Sequence, residues 1–129
     1  MEYLPIFVDL KQQPCLVVGG GPIALRKLEN LLRAGALVRL VSPELTQDLA
    51  KRVGDPGISW HERRFEDADL DGIRLAIAAT NDRDVNRRIA ELAKAAGIAV
   101  NVADQPEDCT FIMPSIVDRS PVVVAVSTG

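Results

Sequence analysis

One stretch constrains the fold more than any other. The apolar run Cys15-Leu16-Val17-Val18 stops on three consecutive glycines, Gly19-Gly20-Gly21, and Pro22 follows. A short unbroken apolar run ending in a tight turn is the pattern of a strand covered on both faces, as in a parallel sheet. Proline suits the first position of a helix, where its missing N–H costs nothing. Over residues 23–34, Ala24, Leu25, Leu28, Leu31 and Leu32 recur at helical spacing, with Arg26, Lys27, Glu29, Asn30 and Arg33 on the other faces. Gly35 closes that helix.

The alternation continues. Residues 37–41 read as a second strand and 45–53 as a short helix, stopped by Gly54-Asp55-Pro56-Gly57. Residues 58–62 and 75–79 read as the third and fourth strands. A helix over 82–96 places Val85, Ile89, Leu92 and Ala93 on its core face and ends at Gly97; residues 99–101 make a fifth strand. Strands alternating with helices require right-handed crossovers. The fold class is therefore α/β: a Rossmann-like, doubly wound parallel sheet with helices on both faces. After Asp104 the pattern changes, and 111–113, 116–118 and 122–127 read as strands with short connections.

At 129 residues the chain is one domain of ordinary size, and 47% hydrophobic with 26% charged residues marks it as globular. A net charge of −3 and a pI near 5.1 argue against nucleic-acid binding through a general basic field. No apolar run reaches the length of a membrane span. The N-terminus has neither the basic start nor the apolar core of a signal peptide. Two cysteines and one histidine are too few for a Cys₂His₂ or Cys₄ zinc site. With no disulfide framework and no targeting segment, the cytoplasm is the expected compartment.

Gly19-Gly20-Gly21-Pro22-Ile23-Ala24 fits G-x-G-x-x-A, a form of the dinucleotide fingerprint, in its required place between strand and helix. Gly19 permits the sharp turn, Gly21 lets a pyrophosphate approach the backbone, and Ala24 allows close packing of helix on strand. The helix start offers N–H groups and partial positive charge to phosphates, with Pro22 removing one donor. At the end of the second strand, Ser42 stands where NAD sites usually carry an acid, and Glu44 follows two residues later. No arginine cluster awaits a 2′-phosphate, so NAD is favoured over NADP. Ser42-Pro43-Glu44 also reads as the cap of the next helix, Ser42 at N-cap and Pro43 at the first position. Thr80 closes the fourth strand, either as a contact to the nicotinamide ribose or phosphate or as part of a cap for the helix at Asp82.

Leu4-Pro-Ile-Phe7, Val18-Gly-Gly-Gly21, Ala76-Ile-Ala-Ala-Thr80, Asn101-Val-Ala-Asp104 and Phe111-Ile-Met-Pro-Ser-Ile-Val-Asp-Arg-Ser-Pro121 occur in one order. The set resembles the precorrin-2 dehydrogenase/sirohydrochlorin ferrochelatase family, the N-terminal module of siroheme synthases. The last run is the specific part, since a generic Rossmann domain has no need of it. The resemblance implies NAD⁺-dependent oxidation of precorrin-2 to sirohydrochlorin, then insertion of Fe²⁺ to give siroheme, by a homodimer. It implies a division into an NAD-binding domain at 1–113 and the start of a dimerisation and substrate-site segment at 114–129. It further implies that the chain continues past Gly129, sometimes into a uroporphyrinogen-III methyltransferase. Asp104 matches the family's aspartate, expected to accept a proton and to contact Fe²⁺ transiently, with no resident metal; otherwise it is a solvated loop residue like Glu107 and Asp108. Asn101 is a candidate for orienting substrate or the nicotinamide amide, and Ser127 and Thr128 for bordering the macrocycle.

Other residues take plain readings: Cys15 a buried strand residue, Cys109 a loop thiol, His61 structural, Arg119 an exposed charge. A second function class stays open, a non-enzymatic NAD-sensing domain of a potassium-transport system, which shares the glycine turn and an Ala-Thr-Asn-Asp stretch. Such domains carry the acid that Ser42 replaces, and they lack residues 111–121.

Overall fold

The computed structural model describes residues 1–128, and the counts below are of those residues. Five parallel strands form the central sheet: β1 Pro14–Val18, β2 Leu37–Val41, β3 Ile58–His61, β4 Leu75–Ala78 and β5 Ala99–Val102, in the order β3-β2-β1-β4-β5. The strand order reverses between β1 and β4, which pair in register from Cys15 opposite Leu75 to Val18 opposite Ala78. Alternate β1 residues serve two cores. Cys15 and Val17 pack under helix α1 (Pro22–Arg33) with Leu28 and Leu31, and Leu16 and Val18 pack under helix α3 (Arg83–Ala95) with Ile89 and Ala93. Truncating Leu28 or Ile89 to alanine would cost about 2–5 kcal/mol.

The expected α/β architecture is present, with three local corrections. The helix expected over 45–53 is only one turn, α2 at Gln47–Ala50, with Thr46 at its N-cap. Ser42 is therefore not a helix cap: its hydroxyl donates to the Glu44 carbonyl at 2.6 Å, closing a turn that holds residues 42–45 out of helix. The core face of α3 is Asn86, Ile89, Ala90 and Ala93, and Val85 and Leu92 lie at its flank. Residues 111–113 form no strand, although Phe111 N–H still reaches the Val100 carbonyl at 3.4 Å.

The remaining strands, β6 (Ser115–Arg119) and β7 (Val122–Val126), pair antiparallel as a hairpin apart from the main sheet. Their residues are exposed with the exception of Asp118, which is half-buried and paired with Arg33 of α1 at 3.2 Å. Of residues 114–129, expected to begin a dimerisation and substrate-site segment, Gly129 lies outside the described residues.

Candidate functional site

A crevice of about 720 Å³ opens at the carboxyl edge of the sheet, beside the point where strand order reverses. Open α/β sheets bind ligands there, because the loops on either side diverge. Its walls are Gly19, Gly20, Gly21, Pro22 and Ile23 after β1, Ser42, Pro43 and Glu44 after β2, Thr80 after β4, and Asp104 after β5. Arg64, Phe65 and Asp67 after β3 complete the lining, so five loops far apart in sequence meet in one cavity.

The three glycines do different work. Gly19 has φ +133°, and a Cβ there would lie 2.3 Å from the Ala79 carbonyl oxygen. Only glycine fits, because the two central loops touch backbone to backbone. A Cβ on Gly20 would lie 1.9 Å from the Glu44 carbonyl oxygen, and Thr46 N–H donates to the Gly20 carbonyl at 2.8 Å. Gly20 thus joins the first exit loop to the second, a role the fingerprint leaves blank; the signal for it was a glycine at the free middle position between Gly19 and Gly21. Gly21 is unlike both: a Cβ would meet nothing within 4 Å. Its φ of −100° is open to any residue, so what its bare backbone preserves is space in the crevice.

The start of α1 is equipped for an anion. No side chain caps it, and its first backbone bond is Leu25 N–H to the Gly21 carbonyl at 3.0 Å. Among the described residues no acceptor meets the N–H groups of Gly21, Ile23 or Ala24. Unpaired donors at a helix N-terminus, beside space that a Cβ would fill, fit a pyrophosphate. Ala24 does not line the crevice; it is fully buried between α1 and the sheet, as its packing role requires.

Thr80 takes part in the cap and also stands at the crevice. It lines the crevice, and its hydroxyl accepts from Asp82 N–H at 3.1 Å, while Asp82 caps α3 through Asp84 and Val85 N–H at 2.9 and 3.2 Å. Asp104 follows β5 with φ +58° and an exposed side chain. Aspartate tolerates this left-handed backbone at a cost of about 1 kcal/mol, which the surrounding loop must offset.

Three expected substrate contacts are not in this crevice. Asn101 is 5% exposed. Its Oδ1 accepts from the Lys27 ammonium, and its Nδ2 donates to the Phe111 carbonyl at 3.1 Å, so the side chain is occupied inside the fold. Burial pushes the Lys27 ammonium below its ordinary pKa; Cys109 and Asp104 nearby oppose that, and Arg26 adds to it. Ser127 and Thr128 border a different cavity of about 1030 Å³ around the amino-terminal ends of β4 and β5, walled by residues 1–8 and Phe111. Cys15 is buried, and burial pushes its thiol up. Cys109 Sγ accepts from Val102 N–H at 3.1 Å. His61 lies on the edge strand beside Ser59, at 3.3 Å.

Sequence reasoning missed Lys27 and Asn86. Lys27 shares the buried stripe of α1 with Ala24, Leu28 and Leu31, and Asn86 shares that of α3 with Ile89, Ala90 and Ala93. A polar residue at i within an i, i+3, i+4, i+7 apolar set, or at i+3, was the available signal.

Residues 6–115 match the family model described as "Putative NAD(P)-binding". The whole chain is similar to siroheme synthases of Methylobacillus flagellatus, at 57% identity, and Nitrosomonas europaea, at 52%, covering 28% and 27% of those proteins. It thus spans about a quarter of the length of the curated relatives it matches. Among solved structures, one titled "SirC, precorrin-2 dehydrogenase" superposes with a TM-score of 0.79 at 28% identity, covering 98% of this chain and 62% of that one. The chain belongs to the NAD(P)-binding family, with the N-terminal module of siroheme synthases among its relatives.

Proposed function

We propose that this chain is the NAD⁺-dependent precorrin-2 dehydrogenase module of a siroheme-forming enzyme, cytoplasmic and homodimeric. The observation that carries the reading is that Asp104 lines the same crevice as the glycine turn, in a chain similar to siroheme synthases along its whole length. NAD⁺, when bound, supplies the hydride acceptor. The N–H groups of Gly21 and Ile23 would hold the pyrophosphate, Ser42 and Glu44 would take the adenosine ribose, and Thr80 would take the nicotinamide half. As hydride leaves the macrocycle, the Asp104 carboxylate takes the accompanying proton and returns it to water, so the products are sirohydrochlorin, NADH and a proton.

Fe²⁺ enters as a substrate of the second reaction. Among the described residues no group of three or more His, Cys, Asp and Glu side chains is placed to hold a metal. Asp104 therefore acts singly, as a weak oxygen ligand that passes iron on. Ser127 and Thr128 lie across the sheet from the crevice, so any contact of theirs with the macrocycle comes from the second copy. The NAD-sensing alternative is not favoured: it gives no role to Asp104 or residues 111–121.

The test uses full-length enzyme with Asp104→Asn, which keeps shape and removes the proton acceptor. NADH appearance with precorrin-2 should slow by roughly 10²-fold or more, the scale for losing a positioned base, and siroheme absorbance should lag with it. Wild-type rates for both steps would end the proposal.

A further inference from the structure

Two buried amides lie behind the crevice. Asn86 is 2% exposed and Gln105 1%. Asn86 Oδ1 accepts from the Thr80 hydroxyl at 2.6 Å and from Thr80 N–H at 3.2 Å, and its Nδ2 donates to the Thr80 carbonyl at 3.1 Å. The same Nδ2 reaches Gln105 Oε1 at 3.4 Å, and Gln105 Nε2 donates to Asp108 Oδ2 at 2.8 Å. One side chain of α3 thus grips three atoms of the β4 exit loop and touches the residue after Asp104. Neither amide reaches the crevice surface, and Asp104 holds its left-handed backbone between Ala103, whose N–H donates to the Ala78 carbonyl at 3.0 Å, and the buried Gln105.

We propose that Asn86 and Gln105 are positioning residues for the oxidation: they fix the Thr80 and Asp104 loops at one separation, so that the cofactor contact and the proton acceptor keep their spacing. The inference rests on the Asp104 reading above. Apolar side chains of similar size would fill the same space; amides are required because two loop backbones must be held in register, and a satisfied polar network specifies geometry where apolar packing would let it slide. Displacing a reacting group by about 1 Å costs on the order of 10²-fold in rate. Loosening the relay thus acts through Asp104 and not beside it.

A double-mutant cycle in the full-length enzyme tests this. Asn86→Ser should lower kcat for NADH formation by about 10- to 100-fold in the wild-type background and by a several-fold smaller factor in Asp104→Asn, where only the Thr80 contact is left to displace. Gln105→Met, which conserves volume, should show the same non-additivity while leaving the KM for NAD⁺ within about twofold, since it leaves the Thr80 grip intact. It decides the matter if Asn86→Ser fails to fold. Equal fold losses in both backgrounds overturn the relay and leave Asp104 standing. A wild-type rate in Asp104→Asn alone overturns the Asp104 reading, and the relay with it.

Discussion

The two edges of the sheet are built on opposite plans. At the carboxyl edge the exit loops are pinned to one another by backbone contact at Gly19 and Gly20, and by buried polar side chains whose bonds are all met. Among the described residues no buried side-chain nitrogen or oxygen lacks a partner. At the amino edge the larger cavity is walled by residues 1–8, where Leu4, Ile6 and Phe7 lie exposed, Phe7 at 77%, and the β6–β7 hairpin beside it shows valines on both faces. Exposed apolar surface on this scale is the composition of an interaction or ligand-binding surface. The crevice edge is thus closed by contacts among its own loops, whereas the hairpin edge leaves apolar surface open that the proposed homodimer would cover.

The largest effect is expected at Gly19. Gly19→Ala places a methyl against the Ala79 carbonyl and forces an alanine to positive φ, so urea unfolding should report a loss of about 3 kcal/mol or more. A loss under 1 kcal/mol would show that the loops are not pinned there.

Next is Asp69, 4% exposed, which anchors the loop between β3 and β4 through a bidentate pair with Arg63 at 2.7 and 2.9 Å. Burial pushes its carboxyl up, but the Arg63 guanidinium and the Glu66 N–H outweigh that and hold its pKa below the ordinary value. A depressed carboxylate contributes stability above its unfolded pKa of about 3.9 and loses it as pH falls through the lower folded value. Asp69→Asn should cost about 2 kcal/mol at pH 7 and flatten the fall in stability below pH 4. An unchanged acid limb would remove Asp69 from the account.

Gly21→Val separates binding from folding. Nothing surrounds its Cβ position, so the melting temperature should hold within about 2 °C while NAD⁺ affinity falls about tenfold or more, equivalent to 1.4 kcal/mol. Calorimetric titration reads the second effect. The smallest change is expected at the other edge: Val124→Lys on the exposed hairpin should alter stability by less than about 0.5 kcal/mol and leave NAD⁺ affinity unchanged, while weakening self-association of the full-length protein in sedimentation.

These differences mark what was legible in the sequence. The five strands and two long helices follow from apolar runs and 3.6-residue periodicity, and the glycine fingerprint marked the turn that lines the carboxyl-edge crevice because turn chemistry is local. The length of α2 was not legible. Leu45, Leu49 and Val53 keep helical spacing, but the Ser42 hydroxyl on the Glu44 carbonyl and the Thr46 N–H on Gly20 direct the backbone elsewhere first. Residues 111–113 have strand-like composition, yet no strand forms there; Phe111 instead packs on the core and its carbonyl receives Asn101. Asn101 illustrates the wider limit. Its place after β5 suggested the crevice, but strand alternation turns it toward α1, where Lys27 waits. Periodicity assigns faces well when residues are apolar; for a polar residue on an apolar stripe only the tertiary partner reveals the purpose.

Amide hydrogen exchange of the full-length protein, with and without NAD⁺, bears most directly on the claim that one edge is a preformed dinucleotide site and the other is not. Saturating NAD⁺ should slow exchange within residues 20–24, 42–46 and 79–82 and leave 1–8 and 115–126 unchanged. Unaltered exchange around the glycine turn, or protection confined to the hairpin edge, would contradict the account.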